Sequence, residues 1–340
     1  MQYMIKMEGE MDERKFEVGI FRPEDAEGVA QLFTAVYGKG YPIKLVYNPE
    51  QLIGAFETKD NIPVVARTPE GYIVGYDAMF RPAPHQKLYE VGQGLVLPDY
   101  RNLGIAAIMN RHVCEVVAKE FNMDAVFGEA VCNHTHMQKA WAVFQTIETA
   151  VEVDLMPAET YAKEKSASGR VSTLDMFRTY VSKPHTIYAP PLYNDAIRYI
   201  YSAYDDTRDF ALSSGHPPAH LHTHHTTQVF DFAQVARVAV FEAGFDFEHI
   251  FDNEEKKLLE EGVLVIQVWL TFSCPWIDTT VQYLRKKGYF FGGALPRWFD
   301  NDALLMQKIV GTPNWGGIQL YSDRARRILD FIQADWQDVK

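Results

Sequence analysis

Residues 88–113 read LYEVGQGLVLPDYRNLGIAAIMNRHV. Leu88 to Leu97 is apolar enough for a strand, Pro98 closes it, Arg101-Asn102-Leu103-Gly104-Ile105-Ala106 turns the chain, and a helix follows without a polar loop. The stretch predicts a strand, a turn and a helix N-terminus in immediate succession. First-turn N–H groups of a helix have no intrahelical acceptor, and the macrodipole adds partial positive charge there. A pyrophosphate can settle on such an end, and the small residues Gly104 and Ala106 let its oxygens approach the backbone. Gly92 and Gly94 in the strand mark a bulge or a close backbone approach.

Working outward, FEVGIF from Phe16 reads as a strand, and PEDAEGVAQLFTAVYG opens with Pro23 and carries Val29, Leu32, Phe33 and Val36 at helical spacing. Asn48 caps a second helix, PEQLIGAF, and IPVVAR with GYIVGYDAMF form a hairpin around Thr68-Pro-Glu-Gly71. DAVFGEAV reads as a further strand and HTHMQKAWAVF as a helix. The order predicts an α/β (α+β) fold, a mixed, mostly antiparallel sheet with helices on both faces.

The run from Met156 to Ser172 is polar and weakly periodic, as a domain connection is. We therefore divide the chain into domains 1–160 and 173–340. In the second, PLYNDAIRYIYSAY, FDFEHIFDNEEKKLLEEG and WIDTTVQYLRKKG read as helices. VLVIQVWLTF reads as a buried strand, and YFFGGALPRW with ALLMQKIV as a closing pair. Elements recur in the order of the first half, which predicts a degenerate internal duplication.

A chain of 340 residues suits two domains, and 47% apolar with 23% charged residues is the composition of a globular protein. The net charge of −12 argues against nucleic acid or an anionic membrane as partner and mildly favours a cationic amine. Cys114, Cys132 and Cys274 lie far apart with no CxxC pair, which predicts a reducing compartment. MQYMIKMEGEMDERKF has no uninterrupted apolar core, and no window reaches the ~18 apolar residues of a membrane span. The expected location is the cytoplasm.

Arg101 to Ala106 resembles the acyl-CoA-binding motif Arg/Gln-x-x-Gly-x-Gly/Ala of the GNAT superfamily of N-acetyltransferases, and Val96 to Tyr100 looks like that family's strand-to-loop junction. The resemblance covers residues 16 to 150 in full element order and residues 185 to 320 more loosely, implying two GNAT-like domains. It implies that Arg101, Asn102, Leu103, Gly104, Ile105 and Ala106 cradle the pyrophosphate of acetyl-CoA. It further implies that the backbone of Leu95, Val96 and Leu97 pairs with the pantetheine arm, and that Asn133 joins the cofactor site. Neither a metal nor a nucleic acid or membrane partner is implied. The implied activity is transfer of an acetyl group from acetyl-CoA to a primary amine, small-molecule or peptide, by direct attack in a ternary complex. A homodimer is left open.

Such chemistry needs a neutral amine, a polarised carbonyl and a proton for the leaving thiolate. Glu90 and Glu129 are the carboxylates expected as base. The tyrosine that the family carries seven residues beyond an asparagine is replaced, counting from Asn133, by Ala140. His134, His136, Tyr89 and Tyr100 are the remaining donors near the motif. The missing phenol keeps a second reading open, a non-catalytic acyl-CoA-binding or sensor protein. The second half lacks an equivalent glycine turn before its long helix and is expected to wall the acceptor pocket without binding CoA. His216, His220, His222, His224 and His225 crowd SSGHPPAHLHTHHTT, where alternate strand residues would share a face and invite a metal. The flanking prolines and the lack of a carboxylate favour an exposed loop.

Overall fold

The computed structural model describes residues 2–3, 15–158, 169–204 and 208–340. The chain divides into two compact units, Met1–Val126 and Phe127–Lys340. Most of the N-terminal leader and of the polar connection lies outside the described residues.

In the first unit five strands lie in the order β1 (Gln2–Tyr3), β2 (Phe16–Ile20), β3 (Asn61–Arg67), β4 (Ile73–Phe80) and β5 (Leu88–Val96), each antiparallel to the next. Pro23 opens a single 3-10 turn that runs into α1 (Ala26–Tyr37). The Asn48 side chain accepts from Gln51 N at 3.1 Å and starts α2 (Pro49–Glu57), as its cap position predicts. Val29, Leu32 and Phe33 of α1 and Leu52 of α2 are buried against Tyr76 and Ala78 of β4. Each such side chain contributes about 1.5–3 kcal/mol of burial. α3 (Ile105–His112) covers the other face: a Cβ built on Gly75 would stand 3.0 Å from Ile105 Cγ2 and 3.1 Å from Met109 Sδ. Alternation along β4 therefore puts helices on opposite faces of this sheet. α3 continues through a π turn, Val113–Val117, to Glu120. The buried Arg67 guanidinium holds Asp25 (Nε to Oδ1, 2.7 Å) and Ile20 O, tying β3 to the start of α1.

In the second unit the sheet order is β6 (Ala125–Val131), β8 (Val171–Thr179), β7 (Ile147–Met156), β14 (Phe290–Phe299), β15 (Asn301–Ile309), β13 (Val265–Thr271), β12 (Val235–Glu242) and β11 (His224–Phe230). β12 and β13 are parallel, while β7 with β8, β7 with β14, β14 with β15, β13 with β15 and β11 with β12 are antiparallel. β9 (His185–Ala189) and β10 (Arg208–Leu212) form a separate parallel pair. The helices are α4 (His136–Ala142), α5 (Asn194–Tyr201), α6 (Phe247–Glu260), α7 (Ile277–Lys286) and α8 (Asp323–Val339). The architecture is the mixed, mostly antiparallel α/β fold that the element order predicts.

Arg237 of β12 donates at 2.8 Å to Glu129 of β6 and at 2.8 Å to Glu152 of β7. These strands are far apart in the sheet order, so the sheet curls until its ends face each other. Phe127, Phe177, Trp269 and Trp298 pack in the same interior, with ring centroids 4.7–6.4 Å apart. A second buried ion group fixes β15: Asp302 accepts from Arg208 Nε at 2.6 Å and from Arg297 N at 2.8 Å. Although burial alone would raise the Asp302 pKa, His185 and Arg208 hold it well below the usual carboxylate range. The charged run of α6 is not wholly solvated: Glu255 is buried between Lys287 and Lys308.

Candidate active site

The quoted stretch folds as read. β5 ends at Val96, a 3-10 turn spans Pro98–Tyr100, and Gly104 (φ +75°) is the N-cap of α3. Asn102 also has positive φ, +65°, a conformation that asparagine tolerates better than most residues. Leu97 N–H is taken by Val74 O at 2.9 Å, and those of Tyr100 and Arg101 by Leu97 O and Pro98 O. Among the described residues, no carbonyl outside the helices and strands accepts from the amides of Asn102, Leu103 or Gly104. Ile105 and Ala106 follow as the first helical residues, whose N–H groups have no acceptor within the helix. Left-handed Asn102 and Gly104 thus bracket a short run of amides without a main-chain acceptor at a helix N-terminus, the kind of backbone that favours an anion. The Arg101 side chain is exposed and folds back, its Nε 3.2 Å from Val96 O.

Upstream on β5, Gln93 has φ +62° and the β4–β5 register shifts between Tyr76 and Ala78, so the bulge that the glycines predict is present. Two carboxylates flank it. A Cβ built on Gly92 would lie 3.5 Å from Glu90 Oε1, and one built on Gly94 would lie 3.5 Å from Asp77 Oδ1. Asp77 is buried and accepts the following amide, Ala78 N–H, at 3.0 Å. Burial pushes its carboxyl up to about 7, and the Ala78 amide offsets only part of that. Tyr41, which follows α1, packs against Phe33 and Tyr37 at 4.9 and 5.1 Å between ring centroids. Its phenol is raised by burial first, then by Tyr37, Glu90 and Asp77, so both carboxylates act on it. No hydrogen bond of the described residues engages the Tyr41 hydroxyl, whereas Tyr89 donates its own to Lys59 O at 3.1 Å. Asp77 and Tyr41 escaped the sequence reading because both sit within runs of apolar and aromatic residues. A lone aspartate in the central strand GYIVGYDAMF was the available signal.

The other expected residues belong to the second unit. Glu129 is the partner of Arg237, and the buried Glu152 beside them is raised by burial despite that guanidinium. Asn133 is buried, and its carbonyl accepts from Gln319 Nε2 at 3.0 Å. The histidines do not gather: the strand begins only at His224, and the groups of three His, Cys, Asp or Glu that could hold a cation among the described residues include none of them. His222 Nδ1 instead lies 2.7 Å from Asp246 Oδ2, and Thr223 N–H donates to Asp246 Oδ1 at 2.8 Å. Against the desolvation that would raise it, these bonds hold the Asp246 carboxyl down to about 2. A Cβ on Gly244 would meet Leu221 O at 2.2 Å, so the loop backbone packs directly against the glycine that precedes α6. The three cysteines are buried and unbridged.

No protein-family model matches the sequence, and no curated protein is found as a relative. Solved N-acetyltransferase structures match about half of the chain, and the other half is unassigned. A putative acetyltransferase from Acinetobacter baylyi is 12% identical, with 50% of this chain and 95% of that one covered and a TM-score of 0.40. The ribosomal-protein-S5-alanine acetyltransferase from Vibrio fischeri is 12% identical over 48% of this chain and 92% of its own, TM-score 0.39. A spermidine/spermine N-acetyltransferase from Vibrio cholerae is 11% identical over 48% and 94%, TM-score 0.36. Among the described residues, no helix is long and apolar enough to cross a membrane.

Proposed function

We propose that this chain is an N-acetyltransferase that moves an acetyl group from acetyl-CoA to a primary amine. The observation that carries the reading is the outward run of amides from Asn102 to Ala106, closed by left-handed Asn102 and Gly104 at the head of α3. These amides would hold the diphosphate, with the backbone of Leu95, Val96 and Leu97 beside the pantetheine arm. Acetyl-CoA supplies the acyl group as an activated thioester.

The residues of the chain then have three tasks. Asp77, poised near neutrality, takes a proton from the bound ammonium through water that enters at the exposed Gly94. Glu90, on the other side of the bulge, attracts the cationic acceptor or serves as the base itself. Tyr41 delivers a proton to the leaving sulfur, the task for which the sequence offered no residue at position 140. Glu129 is instead engaged by the Arg237 guanidinium at 2.8 Å. The acceptor is small or peptidic, no metal takes part, and the chain works in the cytoplasm, alone or as a homodimer.

We further infer two GNAT-like repeats, read from sequence as 1–160 and 173–340.

Calorimetry with CoA tests the cradle: Gly104→Val, which forces a β-branched residue to positive φ, should abolish the heat of association, while Gly104→Asn keeps much of it. Thiol release from acetyl-CoA across an amine panel separates enzyme from sensor. Heat of binding without any thiol release would leave the sensor, and no heat would end both readings.

A further inference from the structure

Phe127–Lys340 contains a cavity of about 290 Å³ at the end of the parallel pair β12–β13. The ladder of that pair stops at Val240 opposite Leu270, and the chains diverge beyond it. Phe241 and Phe299 form two walls, with ring centroids 5.2 Å apart and edge to face, and Trp276 forms a third. His224 stacks on Phe241 at 4.8 Å. The wall is fixed before any ligand arrives: the Trp276 indole N–H donates to Ala243 O at 2.8 Å, and Pro275 O accepts from Ser213 Oγ and Ser214 N, each at 2.8 Å.

The same cavity is lined by Glu242, at the exposed end of β12. Its carboxylate enters none of the ion pairs among the described residues, yet it acts on the Cys274 thiol in the cavity wall. That thiol is pushed up to about 12 by burial first, so it is a neutral surface and no nucleophile. Thr271 and Ser273, joined at 2.8 Å between hydroxyls, complete the lining.

Three aromatic walls and one carboxylate, with no lysine or arginine in the lining, repel anions and suit a cation whose charge is spread over carbon. The size lies at the lower edge of the ~300–1,000 Å³ typical of small-molecule sites. We propose that this cavity binds a small organic ammonium ion, its methyl or methylene groups against Phe241, Phe299 and Trp276 and its charge against Glu242. Such binding stands apart from acetyl transfer and needs no cofactor.

Calorimetry of the full chain with choline, and with its neutral isostere 3,3-dimethylbutan-1-ol, is the test. Choline should bind at least about tenfold more tightly than the alcohol, a gap of about 1.4 kcal/mol. Glu242→Gln, at an exposed strand end, should remove most of that gap without altering the melting temperature, and Phe299→Leu should weaken choline more than the alcohol. CoA affinity should be unchanged in both variants. Equal binding of the two probes, absence of choline binding at millimolar concentration, or an unaltered gap in Glu242→Gln overturns the proposal.

Discussion

Asp77 Oδ1 lies 3.5 Å from where a Cβ on Gly94 would stand, so the absent side chain of an exposed glycine leaves a window beside a buried carboxylate. Gly94→Val fills that window with two methyl groups while leaving the amide cradle alone. Acetyl transfer should fall at least about tenfold with CoA affinity within about threefold of the parent. Removing the base outright by Asp77→Asn should cost about 10²–10⁴ in kcat. Steady-state kinetics beside calorimetry reads both numbers.

Asp77 also makes stability depend on pH in a definite direction. Its folded-state pKa, about 7, lies above the ordinary carboxylate value near 4, so the fold prefers the neutral acid. The contribution is fully present below about pH 4 and is lost as pH rises to about 7. Asp77→Asn keeps the acceptor for Ala78 N–H and never ionises. It should melt with the parent at pH 4 and be more stable at pH 8, by up to about 4 kcal/mol. Denaturant titrations at the two pH values measure the difference, and a variant that is less stable at pH 8 contradicts it.

The Arg237 group predicts a non-additive result. Arg237→Leu leaves the half-buried Glu129 and the buried Glu152 together without their guanidinium, and should cost about 3–5 kcal/mol. Adding Glu152→Leu removes one of the stranded charges and should return a large part of the loss. A double-mutant cycle in urea gives the coupling directly. If the double variant is less stable than the single, the group is held by packing and not by charge.

Much of the fold was legible because periodicity and capping are local. Asn48 does cap α2, Thr68-Pro-Glu-Gly71 does turn a hairpin, and the glycines of β5 do bracket a bulge. The curl of the second sheet was not, since it depends on Arg237 meeting Glu129 and Glu152 across strands remote in sequence. For the same reason the sequence could not show that Glu129, a candidate base, is ion-paired with Arg237. Nor could the sequence, which pointed to an exposed loop before His224, show that loop closed on Asp246, a carboxylate remote in sequence. The anion turn was readable as residues Arg101 to Ala106. Asp77 and Tyr41 became visible only when β4, β5 and α1 were packed.

The cradle is held by the packing of helix on sheet. Its amides stand at the head of α3, and α3 lies on β4 at Gly75, where a Cβ would be 3.0 Å from Ile105 Cγ2, 3.1 Å from Met109 Sδ and 3.1 Å from Ala66 Cβ. Gly75→Val must therefore lift the first turn of the helix from the sheet. We expect an overpacking loss of about 1–3 kcal/mol and a fall in CoA affinity of at least about tenfold, although residue 75 touches no ligand. Because Ile105 supplies the closest atom, Ile105→Ala introduced beside Gly75→Val should let the helix settle back and restore affinity, whereas Ile105→Ala alone should lower stability with little effect on CoA. Isothermal titration of the three variants decides the matter: if affinity stays low in the double variant, the position of the amides is not set by this approach of helix to sheet.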